Sequence, residues 1–294
     1  TVLIISAGVE QGIEKWSNRL MPSLFILMFG LILYVLSQDG AMAGLNYYLV
    51  PDFSQITKPD LIVSAMGQAF FSMSLGVGTM LVYGSYIKAD ENLPVVGALV
   101  TLTDTSVAFL AGLLVLPAIF VAQKLGVTIY AESGDLIAGP DLIFQVLPAL
   151  FEGMGITGLF VGFTFFVLMS IAAVTSSISM LEVPVSYAVE AHQVNRNKAT
   201  WLVGFAVFAI STMICLNFDS LFGFVITMTT ERAQPLLSMM LCIFAGWIFY
   251  RNSILQELKS GNPNVEQGLF WKIWPVYVKF FCPVLILMTF ANGF

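Results

Sequence analysis

Histidine occurs once in this sequence, as His192, and cysteine three times, as Cys215, Cys242 and Cys282. A lone imidazole removes most metal and catalytic-triad chemistries, and no HExxH motif is present. The cysteines share no CxxC spacing and all lie within apolar stretches, so they read as free thiols packed as small hydrophobes. Charge is scarce too: Asp, Glu, Lys and Arg make up 10% of the 294 residues, and the twelve Lys and Arg form no basic cluster. At a net charge of −6 nothing is left to neutralise a phosphate backbone, which argues against a nucleic-acid partner. The opening residues are not expected to be a signal peptide, as they carry no charged start followed by a cleavage site. The chain opens on Thr1 in an apolar run, Val2 to Val9, too short to span and read as the end of a truncated helix.

What the sequence has in excess is apolar surface. Hydrophobic residues make up 58% of it, more than a domain folded in water could hide. Apolar windows long enough to cross a bilayer at 1.5 Å per residue recur near 18–36, 61–87, 95–122, 157–189, 200–216, 221–250 and 270–290. This pattern predicts an all-α, polytopic membrane helix bundle, a single transmembrane domain over 1–294 with seven full spans plus the end of one. Alternating the loops puts Lys15, Arg19, Lys88, Arg196, Lys198, Arg251, Lys259 and Lys272 on one side, and Lys58 and Lys124 on the other. The richer side is cytoplasmic by the positive-inside rule. The external loop 123–156 holds an apolar island, Leu142 to Phe151, too short to span: either a re-entrant, lid-like segment or a surface helix packed on the bundle.

Ionisable groups inside hydrocarbon cost several kcal/mol unless paired or wetted, so they direct the search for function. They are Asp104, Glu182, Glu231 with Arg232, and Lys279. Asp104 stands among Thr101, Thr103, Thr105 and Ser106, a patch with many oxygens and no amine. Such a patch suits a hard cation such as sodium. Alternatively, the hydroxyls bond back to their own helix and Asp104 sits near a helix end in water. In Gly67 to Tyr86, Ser72, Ser74, Gly76 and Gly78 interrupt an apolar helix, either breaking it to free backbone carbonyls or letting a neighbour approach closely. Thr175, Ser176 and Ser179 make a third polar patch, a second cation shelf or hydroxyls bonded to the preceding turn. Glu182 either lines an inward exit or pairs with a cation, Arg232 either snorkels or pairs, and Lys279 reads as a structural pairing. His192 reads as solvated and carries no role.

The motifs GIEK (Gly12 to Lys15), PDFS (Pro51 to Ser54), GQAFFSMSLGVG (from Gly67), AGLLVLPAIF (Ala111 to Phe120) and AAVTSSIS (Ala172 to Ser179) occur in an order that resembles the neurotransmitter:sodium symporter family in a bacterial version. The likeness covers nearly the whole chain, beginning at the end of the family's fourth helix. It implies an inverted-repeat transporter whose second repeat is present here and whose first is largely missing, in keeping with the absence of a visible internal repeat. It further implies a substrate pocket of Phe71, Ser72, Ser74 and Val77 from a broken helix, with Ser176 and Met180 from a later one. Two sodium sites follow from it: Ser72 and Asp104 for the first, and the Ala172 carbonyl with the Thr175 and Ser176 hydroxyls for the second.

From this resemblance come the functional expectations. The chain is expected to belong to a sodium-coupled amino-acid symporter of the cell inner membrane, working by alternating access without an organic cofactor, and not to an enzyme. Chloride-dependent members offer a hydroxyl one turn after the Asp104 position; here that residue is Ala108, so the negative charge beside sodium is built in and transport is expected to be chloride-independent. Gln68, which lies near that site in the family, is retained. One departure stands out: Ile226 occupies the position of an outer-gate acid, and the nearest acids are Asp219 and Glu231. Two rival readings are a symporter of an amine or other small zwitterion, and a substrate-binding sensor of the same fold.

Overall fold

The computed structural model describes residues 1–56, 58–131, 134 and 136–292, with the side chains of Gln55, Pro59, Asp60, Val63, Glu231, Thr289, Ala291 and Asn292 outside that description. After a short helical turn, Val2–Ser6, and a π-helical turn, Val9–Glu14, the main helices follow. They are α1 (Lys15–Leu36), α2 (Ala41–Leu49), α3 (Pro59–Ser72), α4 (Thr79–Ser85), α5 (Leu93–Lys124), α6 (Leu147–Gly153), α7 (Gly155–His192), α8 (Arg196–Leu216), α9 (Phe218–Ile226), α10 (Gln234–Ile243), α11 (Arg251–Gly261), α12 (Leu269–Val276) and α13 (Cys282–Asn292). The protein is all-α, and among the described residues pairing of β type is limited to one isolated bridge, Tyr130 with Leu136.

Among the described residues, five helices are long and apolar enough to cross a membrane: Val9–Leu36, Leu93–Lys124, Gly155–His192, Arg196–Leu216 and Leu269–Met288. A sixth candidate is the pair Phe218–Ile248 and Arg251–Gly261, bent by 98° at its break. The window expected at 61–87 is not one helix but two, because the chain leaves helical geometry between Ser72 and Thr79.

The chain divides into two compact units. One comprises Leu3–Asp52 with Thr105–Ile178, the other Phe53–Asp104 with Ser179–Phe294. In the first, burial follows helical spacing: Leu24, Met28, Leu31 and Val35 on α1, Leu114, Ala118 and Val121 on α5, and Val161, Phe165 and Leu168 on α7 form one apolar core. The island at Leu142 to Phe151 packs into that core through Val146, Leu147, Leu150 and Phe151.

In the second unit, α8 starts where the Asn195 side chain accepts the Asn197 N–H at 3.0 Å. It buries only small residues, Ala199, Thr200 and Gly204, and turns Trp201, Leu202, Phe205 and Phe208 outward. That inversion of the soluble pattern suits a helix whose outer solvent is lipid. Lys279 finds its structural partner here: the ammonium stands 4.1 Å from the Trp247 ring centroid, while the indole N–H donates to the Lys279 carbonyl at 3.2 Å. His192 is exposed and packs edge-on against Tyr187.

Candidate functional site

The break between α3 and α4 follows from its residues. Gly76 (φ +78°) and Gly78 (φ +89°) adopt left-handed backbone, which costs glycine nothing. Ser74 does the same at φ +52°, a strained conformation worth about 1–2 kcal/mol for a residue with a side chain. Regular bonding lapses with them: Ser74 N–H reaches the Phe71 carbonyl, Leu75 N–H the Phe70 carbonyl and Val77 N–H the Ser74 carbonyl. Of the two readings of this stretch, the broken helix is the one observed, and close approach accompanies it. A Cβ at Gly76 would collide with the Gln234 carbonyl and stand 2.6 Å from Ser238 Oγ.

At the end of α3, the Ser72 hydroxyl donates to the Asp104 carboxylate, 2.7 Å from Oδ2 and 2.9 Å from Oδ1. Asp104 lies within α5 and both residues are half-buried. A carboxylate and a hydroxyl from two helices thus meet beside a backbone break, an oxygen-rich setting of the kind a hard monovalent cation uses. Phe71 and Val77 on the same stretch, and Met180 on α7, are exposed, whereas Ser74 is half-buried. These six residues all belong to the second unit.

Ala172, Thr175 and Ser176 lie on α7 within the first unit. Thr175 Oγ1 donates to the Ala172 carbonyl at 2.9 Å and the Ile171 carbonyl at 3.1 Å, so its hydroxyl satisfies the preceding turn.

A second polar cluster was only partly foreseen. Glu182 is fully buried, and Arg196 Nη2, from the first residue of α8, donates to both of its carboxylate oxygens at 2.7 and 2.8 Å. The Tyr86 hydroxyl, just beyond α4, adds a bond of 2.6 Å. Glu182 therefore pairs with a cation, and the pair ties α7, α8 and the end of α4 together within their unit. Sequence reasoning counted Arg196 only as a loop charge. It also passed over Gln234, a buried amide whose Nε2 donates to the Phe70 carbonyl at 2.9 Å. Its place two residues after Arg232 and just before an apolar run was the available signal. Glu231 lies in a π-helical turn with its side chain outside the described residues, and Arg232 Nη1 approaches Met228 Sδ at 3.9 Å.

Known proteins resemble this chain over its whole length. The model of the sodium:neurotransmitter symporter family matches residues 1–294. The chain is 32% identical over 303 residues to an uncharacterized sodium-dependent transporter, YhdH, of Bacillus subtilis (strain 168), covering 99% of this chain and 64% of that protein. It is 34% identical over 297 residues to an uncharacterized sodium-dependent transporter of Haemophilus influenzae, covering 99% and 62%. Among solved structures, the crystal structure of MhsT in complex with L-phenylalanine superimposes with a TM-score of 0.82 at 32% identity, covering all of this chain and 65% of MhsT. The chain thus spans a little under two thirds of the length of these relatives.

Proposed function

As the chain belongs to the sodium:neurotransmitter symporter family, a family of transporters and not of enzymes, we propose that it is the greater part of a sodium-coupled symporter of a small amino acid, working by alternating access in the cell inner membrane. The observation that carries this reading is the Ser72 hydroxyl resting on both oxygens of Asp104 at the end of a broken helix. Entry of sodium at this pair turns the hydroxyl so that a lone pair, and no longer its proton, faces the ion, and the carboxylate supplies the compensating charge. A second sodium would take the Ala172 carbonyl and the Thr175 and Ser176 hydroxyls, with Thr175 Oγ1 offering the ion a lone pair while its proton stays on its own helix.

Two ions suffice energetically. Each sodium entering down about 100 mV and a tenfold gradient releases about 3.7 kcal/mol, about 2.3 electrical and about 1.4 chemical. Two support about 10⁵-fold accumulation. Phe71, Ser74, Val77 and Met180, all in the second unit, would line the substrate's pocket. Valine at position 77 leaves room for an aliphatic or aromatic side chain, and the L-phenylalanine bound to MhsT supports an amino acid as the class. Asp104, with Ala108 one turn on, favours chloride-independent transport.

The test is uptake of a radiolabelled amino-acid panel by the full-length gene product in proteoliposomes, with and without an inward sodium gradient and with gluconate replacing chloride. Sodium-driven accumulation that survives chloride removal is expected. Stimulation by chloride contradicts the role given to Asp104, and sodium-dependent binding without uptake makes the protein a sensor.

A further inference from the structure

The break is held from outside as well as from within. Gln234, the first residue of α10, is 5% exposed, so its amide has to be satisfied inside the protein. Its Nε2 donates to the Phe70 carbonyl, which already accepts Leu75 N–H at 3.1 Å; one oxygen in the last turn of α3 thus takes a bond from each side. Six residues beyond Phe70, the chain returns to the same place: Gly76 packs against the Gln234 carbonyl so closely that only glycine fits. Side chain and backbone of one residue therefore touch the stretch on either side of its turn, at Phe70 and at Gly76. Between those contacts lie Phe71, Ser72 and Ser74, and Ser72 is the residue bonded to Asp104.

We propose that Gln234 is a positioning residue for sodium: by holding the Phe70 carbonyl it fixes the end of the half-helix that presents Ser72 to Asp104, and so sets sodium affinity from a helix that supplies no sodium ligand. The inference rests on the reading of Ser72 and Asp104 as a sodium site. A cation site tolerates little error in ligand placement, because an oxygen displaced by a fraction of an ångström loses much of its attraction while still being desolvated. A neutral amide is suited to the task. It reaches the carbonyl as a donor without bringing a cation into competition with sodium, and its other functional atom is an oxygen that repels nothing nearby of positive charge.

Gln234→Met keeps the length and flexibility of the side chain and removes the donor. Phe70 still accepts from Leu75, so the fold loses one of two bonds to that oxygen. The expected result is a rise of about three- to tenfold in the sodium concentration for half-maximal uptake, about 0.7–1.4 kcal/mol, with maximal rate at saturating sodium within about twofold of the unaltered protein. Ser238→Ala, one turn along α10, removes a buried hydroxyl that has no hydrogen-bond partner among the described residues, and is expected to leave sodium dependence unchanged. Should Gln234→Met fail to accumulate in the membrane, Gln234→Asn, which keeps the amide but falls one methylene short of Phe70, is expected to give the same shift. An unchanged half-maximal sodium concentration in the variant, or a fall in maximal rate with no shift in sodium, overturns the positioning role. If the unaltered protein shows no sodium dependence, the sodium-site reading itself fails, an outcome separate from either.

Discussion

Removing the Arg196 guanidinium should be among the most damaging single changes available in this chain. Glu182 has no exposed side-chain surface, whereas Arg196 is one quarter exposed. Arg196→Met leaves a buried carboxylate held by the Tyr86 hydroxyl but by no cation, and breaking a buried pair in this way costs about 3–5 kcal/mol. Glu182→Gln is milder. The amide oxygen still accepts from Tyr86, and the freed guanidinium can reach water, so the loss is about 1–3 kcal/mol. The double variant Glu182→Gln with Arg196→Met carries no buried charge at all and should cost less than the sum of the two singles. Thermal unfolding of the purified protein in detergent, followed by loss of the monodisperse peak in size-exclusion chromatography, reads this out. At about 2 °C per kcal/mol for a chain of this size, Arg196→Met should lower the midpoint by about 6–10 °C. A midpoint within about 1 °C of the unaltered protein, or a double variant equal to the sum of its parts, would refute the reasoning that the pair is buried and mutually dependent.

Two further outcomes follow from the break. Gly76→Ala puts a Cβ onto the Gln234 carbonyl in a left-handed backbone, so uptake and folded yield should both fall sharply, whereas Gly67→Ala, in open space on α3, should be tolerated; similar losses at both positions would contradict the account of the break. Val77→Phe should narrow the substrate pocket and lower uptake of aromatic amino acids relative to alanine by tenfold or more, measured as a ratio of kcat/KM values, and an unchanged ratio would remove Val77 from the pocket.

The parts of this protein that were legible in its sequence are those in which residue type alone carries the physics. Glycine at 76 and 78 announces a break because no other residue takes that backbone freely, and Asp104 announces a site because a carboxylate in an apolar run needs a reason. The faces of the helices were not legible. In α5 and α7 apolar residues surround the whole helix, so hydropathy gives no hint that Leu114, Ala118 and Val121 face inward while Leu99 and Leu102 face out. Lipid and protein interior are equally oily, and only packing distinguishes them. Partnerships were the other blind spot. Arg196 looks like any loop cation until α7 and α8 bring it 14 positions back to Glu182, and Gln234 lies 164 positions from the carbonyl it holds.

The partnerships found only in the structure share one property. Gln234 bonds α3 just before the break, and Glu182 with Arg196 bonds Tyr86 just after α4, so each half of the interrupted helix is fastened to a different neighbour by a buried polar group. A helix that gives up its own backbone bonds in the middle of a membrane has to recover them from elsewhere, since lipid offers none. Fastening each half separately gives the two halves independent attachments. If the Ser72 half holds sodium, then weakening its fastening at Gln234 should register in sodium affinity, and weakening the other at Arg196 should register in stability without moving the sodium dependence of the protein that remains folded. Finding both effects in both variants would mean that the halves move as one body.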